Sequence, residues 1–265
     1  MDLGLTGRAC IVTGASRGIG LATARGLARE SARVLLVARG GDALAAAARE
    51  CAGDGGEAAA VALDVTEPDA GEAAVAACEE HFGAVDVLVN NAGTSRVRAL
   101  EELTDDDWRE QWELNVMASL RMMRAAVPRM AERKWGRVVN VSSSSGKRPS
   151  GSNAAYSVAK AGQLSLSRAY ADAYAGRGVL VNAVAPGPVA SSLWTGEGGL
   201  ADQVAEQKGT TRQEAFAEAG AKIPLGRLGT EEEIAGVIVF LCSERASDVA
   251  GAAWSVDGGA VPTIV

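Results

Sequence analysis

Tyr156 and Lys160 stand four residues apart in the run Asn153-Ala-Ala-Tyr-Ser-Val-Ala-Lys, and Ser143 precedes them in Val138-Val-Asn-Val-Ser-Ser-Ser-Ser-Gly-Lys. On a helix, that spacing puts the phenol and the ammonium on one face about a turn apart. A neighbouring cation favours the phenolate, so Tyr156 is expected below its free value of about 10, where it serves as a general acid or base near neutrality. The apolar run Val138–Val141, broken only by Asn140, predicts a strand ending just before Ser143. The stretch from Gly146 to Gly151 then supplies turn chemistry, and Asn153 is placed to cap the helix that carries Tyr156.

A second constellation lies near the start. Ala9 to Thr13 predict a strand, and Gly14-Ala-Ser16-Arg17-Gly18-Ile19-Gly20 lead into an Ala/Leu-rich helix running to about Arg29. Glycines let a backbone approach a pyrophosphate closely, and the helix N-terminus offers unpaired N–H groups and the positive end of its dipole. The position of the usual stopping glycine holds Ser31. A second strand, Arg33 to Ala38, ends in Ala38 and Arg39, with no carboxylate to accept from a ribose 2′-hydroxyl. Arg39 and Arg17 together suit a 2′-phosphate, which favours NADP(H) over NAD(H).

The remaining elements repeat the alternation. Ala58 to Leu63 predict a strand followed by Asp64 and Val65, with Asp64 able to accept from an adenine amino group. Val85 to Val89 predict another, followed by Asn90, Asn91, Ala92 and Gly93, which would line a cofactor or brace neighbouring strands. Thr104 to Asp107 read as a capping box for a helix through Met130, with Asn115 inside it, either packed at the surface or kinking the helix and holding a water. Val179 to Val184 lead into Pro186 and Gly187, a rigid turn suited to bordering a planar ring. From Ser191 to Ile223 the periodicity breaks, with one short helix expected over 212–221; so long an excursion reads as a lid or binding loop. Ala252 to Val256 predict a last strand.

Six or seven strands alternating with helices predict an α/β, doubly wound Rossmann fold: one domain over 1–265 whose parallel sheet is covered on both faces, with 191–223 as a small helical substrate lid. Ligands of such sheets bind beyond the carboxyl ends of the strands, where all these motifs fall.

Composition narrows the class. The 265 residues carry 48% apolar and 22% charged residues, as ordinary globular chains do, and the net charge of −7 argues against a nucleic-acid-binding face. The four cysteines show no CxxC pair and no histidine cluster, so neither a metal site nor a disulfide framework is expected. His81, the one histidine, reads as structural at a helix end. The start, MDLGLTGR, has no basic region before an apolar run, and no run is long enough to span a membrane; the expectation is a cytoplasmic protein.

Together these residues resemble the short-chain dehydrogenase/reductase family across essentially the whole chain. Thr13 to Gly20 match its TGxxxGxG loop, Asn90 to Gly93 its NNAG segment, Asn115 its helix asparagine, and Ser143, Tyr156 and Lys160 its serine and YxxxK elements. Pro186 and Gly187 match its PG turn, Val189 follows, and Ser191 stands where many members have Thr to hold the nicotinamide carboxamide. The resemblance implies hydride transfer between nicotinamide and a carbonyl carbon without a metal. It assigns proton donation to Tyr156, oxygen stabilisation to Ser143, ribose binding and acid tuning to Lys160, and water positioning to Asn115. It also implies a homo-oligomer, commonly a tetramer, built on the helices carrying Asn115 and Tyr156.

The pattern is most similar to 3-oxoacyl-[acyl-carrier-protein] reductases, which implies a small-molecule carbonyl substrate such as a carrier-bound acyl thioester. Arg96 and Arg98 after the NNAG segment, and Lys147 and Arg148 after Ser143, are expected to rim the cleft and steer an anionic substrate, with Trp194 as an apolar wall. Two alternatives stay open: a secondary-alcohol dehydrogenase for a bulky cyclic, polyol or steroid-like alcohol, and a non-catalytic NADP(H)-sensing protein.

Overall fold

Cys10 and Val12 turn to one side of the first strand and Ala9 and Ile11 to the other, and each pair joins a different core. The same alternation divides Val34 and Leu36 from Leu35 and Val37 on the second strand. Strands apolar on both faces are stable only between two layers of helices. In the computed structural model, which describes residues 2–262 apart from the side chains of Ser192 and Leu193, they are built that way. The strands are β1 (Ala9–Thr13), β2 (Arg33–Ala38), β3 (Glu57–Ala62), β4 (Val87–Asn90), β5 (Gly136–Val141), β6 (Val179–Pro186) and β7 (Ala253–Val256). They form one parallel sheet in the order β3-β2-β1-β4-β5-β6-β7.

Helices α1 (Gly18–Arg29) and α2 (Gly41–Gly53) cover one face. Helix α3 (Ala70–Phe82) lies on the other. After β4 come α4 (Asp105–Trp112), a π-turn (Glu113–Met117) and α5 (Ala118–Glu132). The capping box at Thr104 is present, but the expected unbroken helix to Met130 is interrupted by the π-turn at Asn115. Beyond β5 lie α6 (Ser144–Lys147) and α7 (Ala154–Tyr174). Asn153 does not cap α7 with its side chain, since its Oδ1 accepts from Ser157 Oγ at 2.8 Å instead. Ser31 takes the left-handed conformation (φ 58°) expected of a glycine at that helix end.

The 191–223 segment holds three short helices: α8 (Ser192–Thr195), α9 (Leu200–Lys208) and α10 (Arg212–Ala221). The sequence reading missed the first two. Helix α9 is bounded by Gly199 and by Gly209 at φ 67°, and only Ala201 and Ala205 of it are buried, so its apolar face is too small to give a helical period. Helix α11 (Glu231–Leu241) returns to the first face. No helix among the described residues is long and apolar enough to cross a membrane. The apolar end from Val261 to Val265 lies outside the described residues from Thr263 onward.

Candidate active site

The order of the sheet reverses between β1 and β4, and at that switch a crevice opens beyond the carboxyl ends of the strands. It is a cleft of about 1080 Å³ running from Arg17, Arg39 and Asp64 at one end to Ser143, Tyr156 and Lys160 at the other, with Pro186, Gly187, Val189 and Ser191 along one wall. Ser16, Gly18, Ile19, Val65, Ala92 and Gly93 also line it.

The floor under the glycine loop is fitted to that loop. Gly14 and Gly18 sit at φ 65° and 66°, which side-chain-bearing residues rarely adopt. Gly20 does not line the cleft; it lies beneath the loop, where a Cβ would come within 2.4 Å of the Gly14 carbonyl oxygen. Asn91 braces from the other side, its Nδ2 donating to the carbonyls of Thr13 (2.9 Å) and Gly14 (3.3 Å). The Thr13 hydroxyl accepts the backbone N–H groups of Asn91 and Ala92. Asp64 accepts from the backbone and hydroxyl of Thr66, which holds its carboxyl below the usual range; the charge of Arg39 adds to this. Arg17 and Arg39 are exposed at the ends of β1 and β2.

At the other end, β5 presents Ser143 as the cap of α6, and α7 presents Tyr156 and Lys160. The Tyr156 side chain is partly open to the cleft, yet the protein packed around its hydroxyl pushes its pKa up, with the Ser143 hydroxyl pulling the other way. This reverses the downward shift expected from Lys160. The ammonium lies 5.7 Å from the Tyr156 ring centroid and is itself buried, so desolvation pushes it down to about 7. Its hydrogen bonds run to the Val141 carbonyl (2.7 Å) and to Gln163 Oε1 (3.1 Å).

Asn115 is fully buried in the π-turn, behind the cleft wall rather than on it. Its Nδ2 donates to the Gln111 carbonyl (3.0 Å), while its Oδ1 has no partner among the described residues. A Cβ at Gly93 would come within 2.9 Å of that oxygen and 3.4 Å of Lys160 Nζ, so the asparagine oxygen and the ammonium converge on one small residue. Ser95, which the sequence reading passed over, also lines the cleft with a buried hydroxyl that has no partner among the described residues.

The expected rim of cations is largely dismantled. Lys147 turns away and donates to the Ala253 carbonyl (2.6 Å) and Ser255 Oγ (3.0 Å), fastening the edge strand β7. Arg148 is exposed and does not line the cleft. Arg98 pairs with Asp107 at 2.7 Å, and Arg96, which does line the cleft, pairs with Glu110 at 3.6 Å. Trp194 and Leu200 line the cleft from the 191–223 segment.

Residues 8–198 match the sequence model of the short chain dehydrogenase family. The chain belongs to the short chain dehydrogenase family. The 3-oxoacyl-[acyl-carrier-protein] reductase FabG of Vibrio cholerae is 37% identical over 257 residues, covering 97% of this chain and 98% of that protein. Among solved structures, the L-sorbose reductase of Gluconobacter frateurii, complexed with NADPH and L-sorbose, superimposes with a TM-score of 0.93 at 36% identity over the whole of both chains. An actinorhodin polyketide ketoreductase with NADPH gives 0.92 at 34% identity, covering 97% of this chain and 98% of that one. This short chain dehydrogenase is therefore an oxidoreductase of ketones and alcohols that uses a nicotinamide cofactor.

The residues fit such a dinucleotide on independent grounds. A glycine cradle closed beneath by Gly20 precedes the N-terminus of α1, and the cleft leads from it to the Lys160 ammonium, with the Asn115 oxygen behind the wall at Gly93.

Proposed function

We propose that this enzyme is an NADPH-dependent carbonyl reductase whose substrate is a 3-oxoacyl thioester. The observation that carries the reaction class is the convergence of Ser143, Tyr156 and Lys160 on one end of the cleft whose other end carries Arg17 and Arg39.

The nicotinamide, when bound, supplies the hydride. Tyr156 donates its proton to the carbonyl oxygen, and Ser143 donates a hydrogen bond to that same oxygen as charge develops on it. An acid must hold its proton until that moment, and a phenol whose pKa is raised by the protein packed around its hydroxyl does so. The Lys160 ammonium then stabilises the phenolate and is placed to hold ribose hydroxyls. The free Asn115 Oδ1 accepts from a water that returns the proton. At the far end, Arg17 and Arg39 hold the 2′-phosphate and Asp64 accepts from the adenine amino group, while Ser191 holds the carboxamide.

Helices α8 to α10 act as the substrate lid, with Trp194 and Leu200 facing the cleft. The thioester reading draws on the Vibrio cholerae reductase and on Arg96 at the cleft mouth, now weakened as a steering charge by Glu110. A second reading, a polyol or ketose, draws on the L-sorbose reductase and on the polar lining by Ser95, Ser144, Ser145 and Asn153. Parallel assays with NADPH and NADH against acetoacetyl thioesters, L-sorbose and a bulky cyclic ketone separate them. Turnover confined to L-sorbose removes the thioester reading, and NADPH binding without turnover of any carbonyl leaves the sensor.

We also propose a homo-oligomer built on α4 and α7. Trp112 and Val158 are exposed there, as are Ala169 and Ala173, whereas the inward face of α7 carries Lys160, Gln163 and Ser167. Light scattering that returned a monomer mass would end this assignment.

A further inference from the structure

The inward face of α7 stays polar where a helix against a sheet ordinarily turns apolar. Tyr156, Lys160, Gln163 and Ser167 follow one another at steps of four, three and four, and the last three are buried, Gln163 with no exposed surface at all. A buried amide is tolerated when both its ends are bonded, and here they are. Gln163 Oε1 accepts from Lys160 Nζ at 3.1 Å, and Gln163 Nε2 donates to Ser119 Oγ at 2.8 Å. Ser119, in the first turn of α5, donates in turn to the Asn115 carbonyl at 3.3 Å within buried surroundings. One amide thus bridges the ammonium and the π-turn.

An ammonium has three N–H donors. The Val141 carbonyl and Gln163 Oε1 take two of them, so together they fix the direction of the third. A side chain that can turn only one way is pre-organised, and misplacement by even an ångström is costly in a reacting site.

We propose that Gln163 is a positioning residue that aims Lys160 and, through Ser119, ties it to the turn carrying Asn115. The inference deepens the reading above and rests on Lys160 serving the reaction. Because Oε1 accepts from the charged form, Gln163 also makes Lys160 hold its proton more firmly than burial alone would allow. Among the described residues, no other ionisable side chain is set to do this. Tyr156 is the titratable neighbour on α7; on α4, Glu110 is paired with Arg96. In the π-turn Glu113 is paired with Arg121 of α5, and on α6 Lys147 is bonded to β7. Arg137 on β5 is engaged with Glu244, and Gly93 presents no side chain.

The test reads Lys160 directly in the free protein, by ¹³C NMR of lysine labelled at Cε. The chain has five lysines, and Lys160→Arg assigns the signal. Gln163→Leu removes the acceptor and is expected to lower the Lys160 titration midpoint by about one pH unit, whereas Gln163→Glu is expected to raise it by about one. Ser119→Ala, which frees the other end of the amide, is expected to lower it by less. The inference is overturned if neither Gln163 variant moves the midpoint or if both move it the same way, as general loosening would. Should Gln163→Leu not fold, the opposed shifts of Gln163→Glu and Ser119→Ala decide. Failure of the catalytic reading would show separately, as ketone turnover that survives Tyr156→Phe, with the NMR midpoints unaffected.

Discussion

Gln203 Oε1 accepts the backbone N–H of Val97 at 3.0 Å, joining α9 of the 191–223 segment to the loop that follows β4. The two residues are 106 positions apart, and the bond sets this segment, the proposed lid, against the cleft mouth beside Arg96. Its strength is that of one neutral hydrogen bond, about 0.5–1.5 kcal/mol. Gln203→Ala is therefore expected to raise KM for the carbonyl substrate roughly 2- to 10-fold with a smaller effect on kcat. Faster proteolytic nicking of 196–212 in the variant would accompany it; unchanged KM and unchanged cleavage would show that the contact does not govern closure.

In the proposed mechanism Tyr156→Phe removes the proton donor while keeping the ring. Loss of a positioned general acid is expected to lower kcat by about 10²- to 10⁴-fold. NADPH affinity, read by fluorescence titration, should change little, because the phenol's role is toward the carbonyl oxygen. Turnover close to that of the unaltered enzyme would remove Tyr156 from the mechanism.

On the proposed reading, Arg17 and Arg39 carry the preference for NADP(H). Hydrogen bonds to charged groups contribute about 1.5–3 kcal/mol, so Arg39→Ala is expected to raise KM for NADPH by about tenfold or more and leave KM for NADH nearly unaltered. Equal losses with both cofactors would mean that Arg39 supports the loop rather than reading the phosphate.

Lys160 makes stability depend on pH in a defined sense. Its folded pKa, about 7, lies below the value of about 10.4 in an unfolded chain. Between those values the unfolded state binds the extra proton, so the contribution rises with pH. From pH 7 to about 8.5 the gain amounts to roughly 1–2 kcal/mol, and it should disappear in Lys160→Met. Urea unfolding of both proteins at the two pH values measures the difference. The buried thiols, whose pKa values are raised, act alike in the two proteins and cancel. An identical pH response in both would show that the buried amine stays charged.

Lys147 belongs to the fold rather than to the substrate. Lys147→Met is expected to leave KM for acetoacetyl thioesters within twofold, since the side chain faces β7, while costing about 1–2 kcal/mol of stability and so about 2–8 °C in Tm. A large rise in KM at unchanged Tm would return it to the cleft.

How far the sequence reached can be seen at particular residues. The strands, the glycine loop and the triplet Ser143, Tyr156 and Lys160 were legible because they depend on local rules: apolar runs for buried strands, glycine where φ is positive, and four-residue spacing on a helix. The convergence of strand ends on one crevice followed from the alternation alone, since parallel strands connected by helices leave their carboxyl ends on one side. Only the tertiary structure could decide the rest. Lys147 and Arg98 look like free cations in sequence, but their partners, Ser255 and Asp107, lie 108 and 9 residues away on other elements. The direction of the Tyr156 shift turned on how much protein surrounds its hydroxyl, and the bonds that hold Lys160 come from Val141 and Gln163. Spacing along a chain fixes which groups can meet on one element; whether they are dry, and which other element satisfies them, is set by packing between elements that no local pattern encodes.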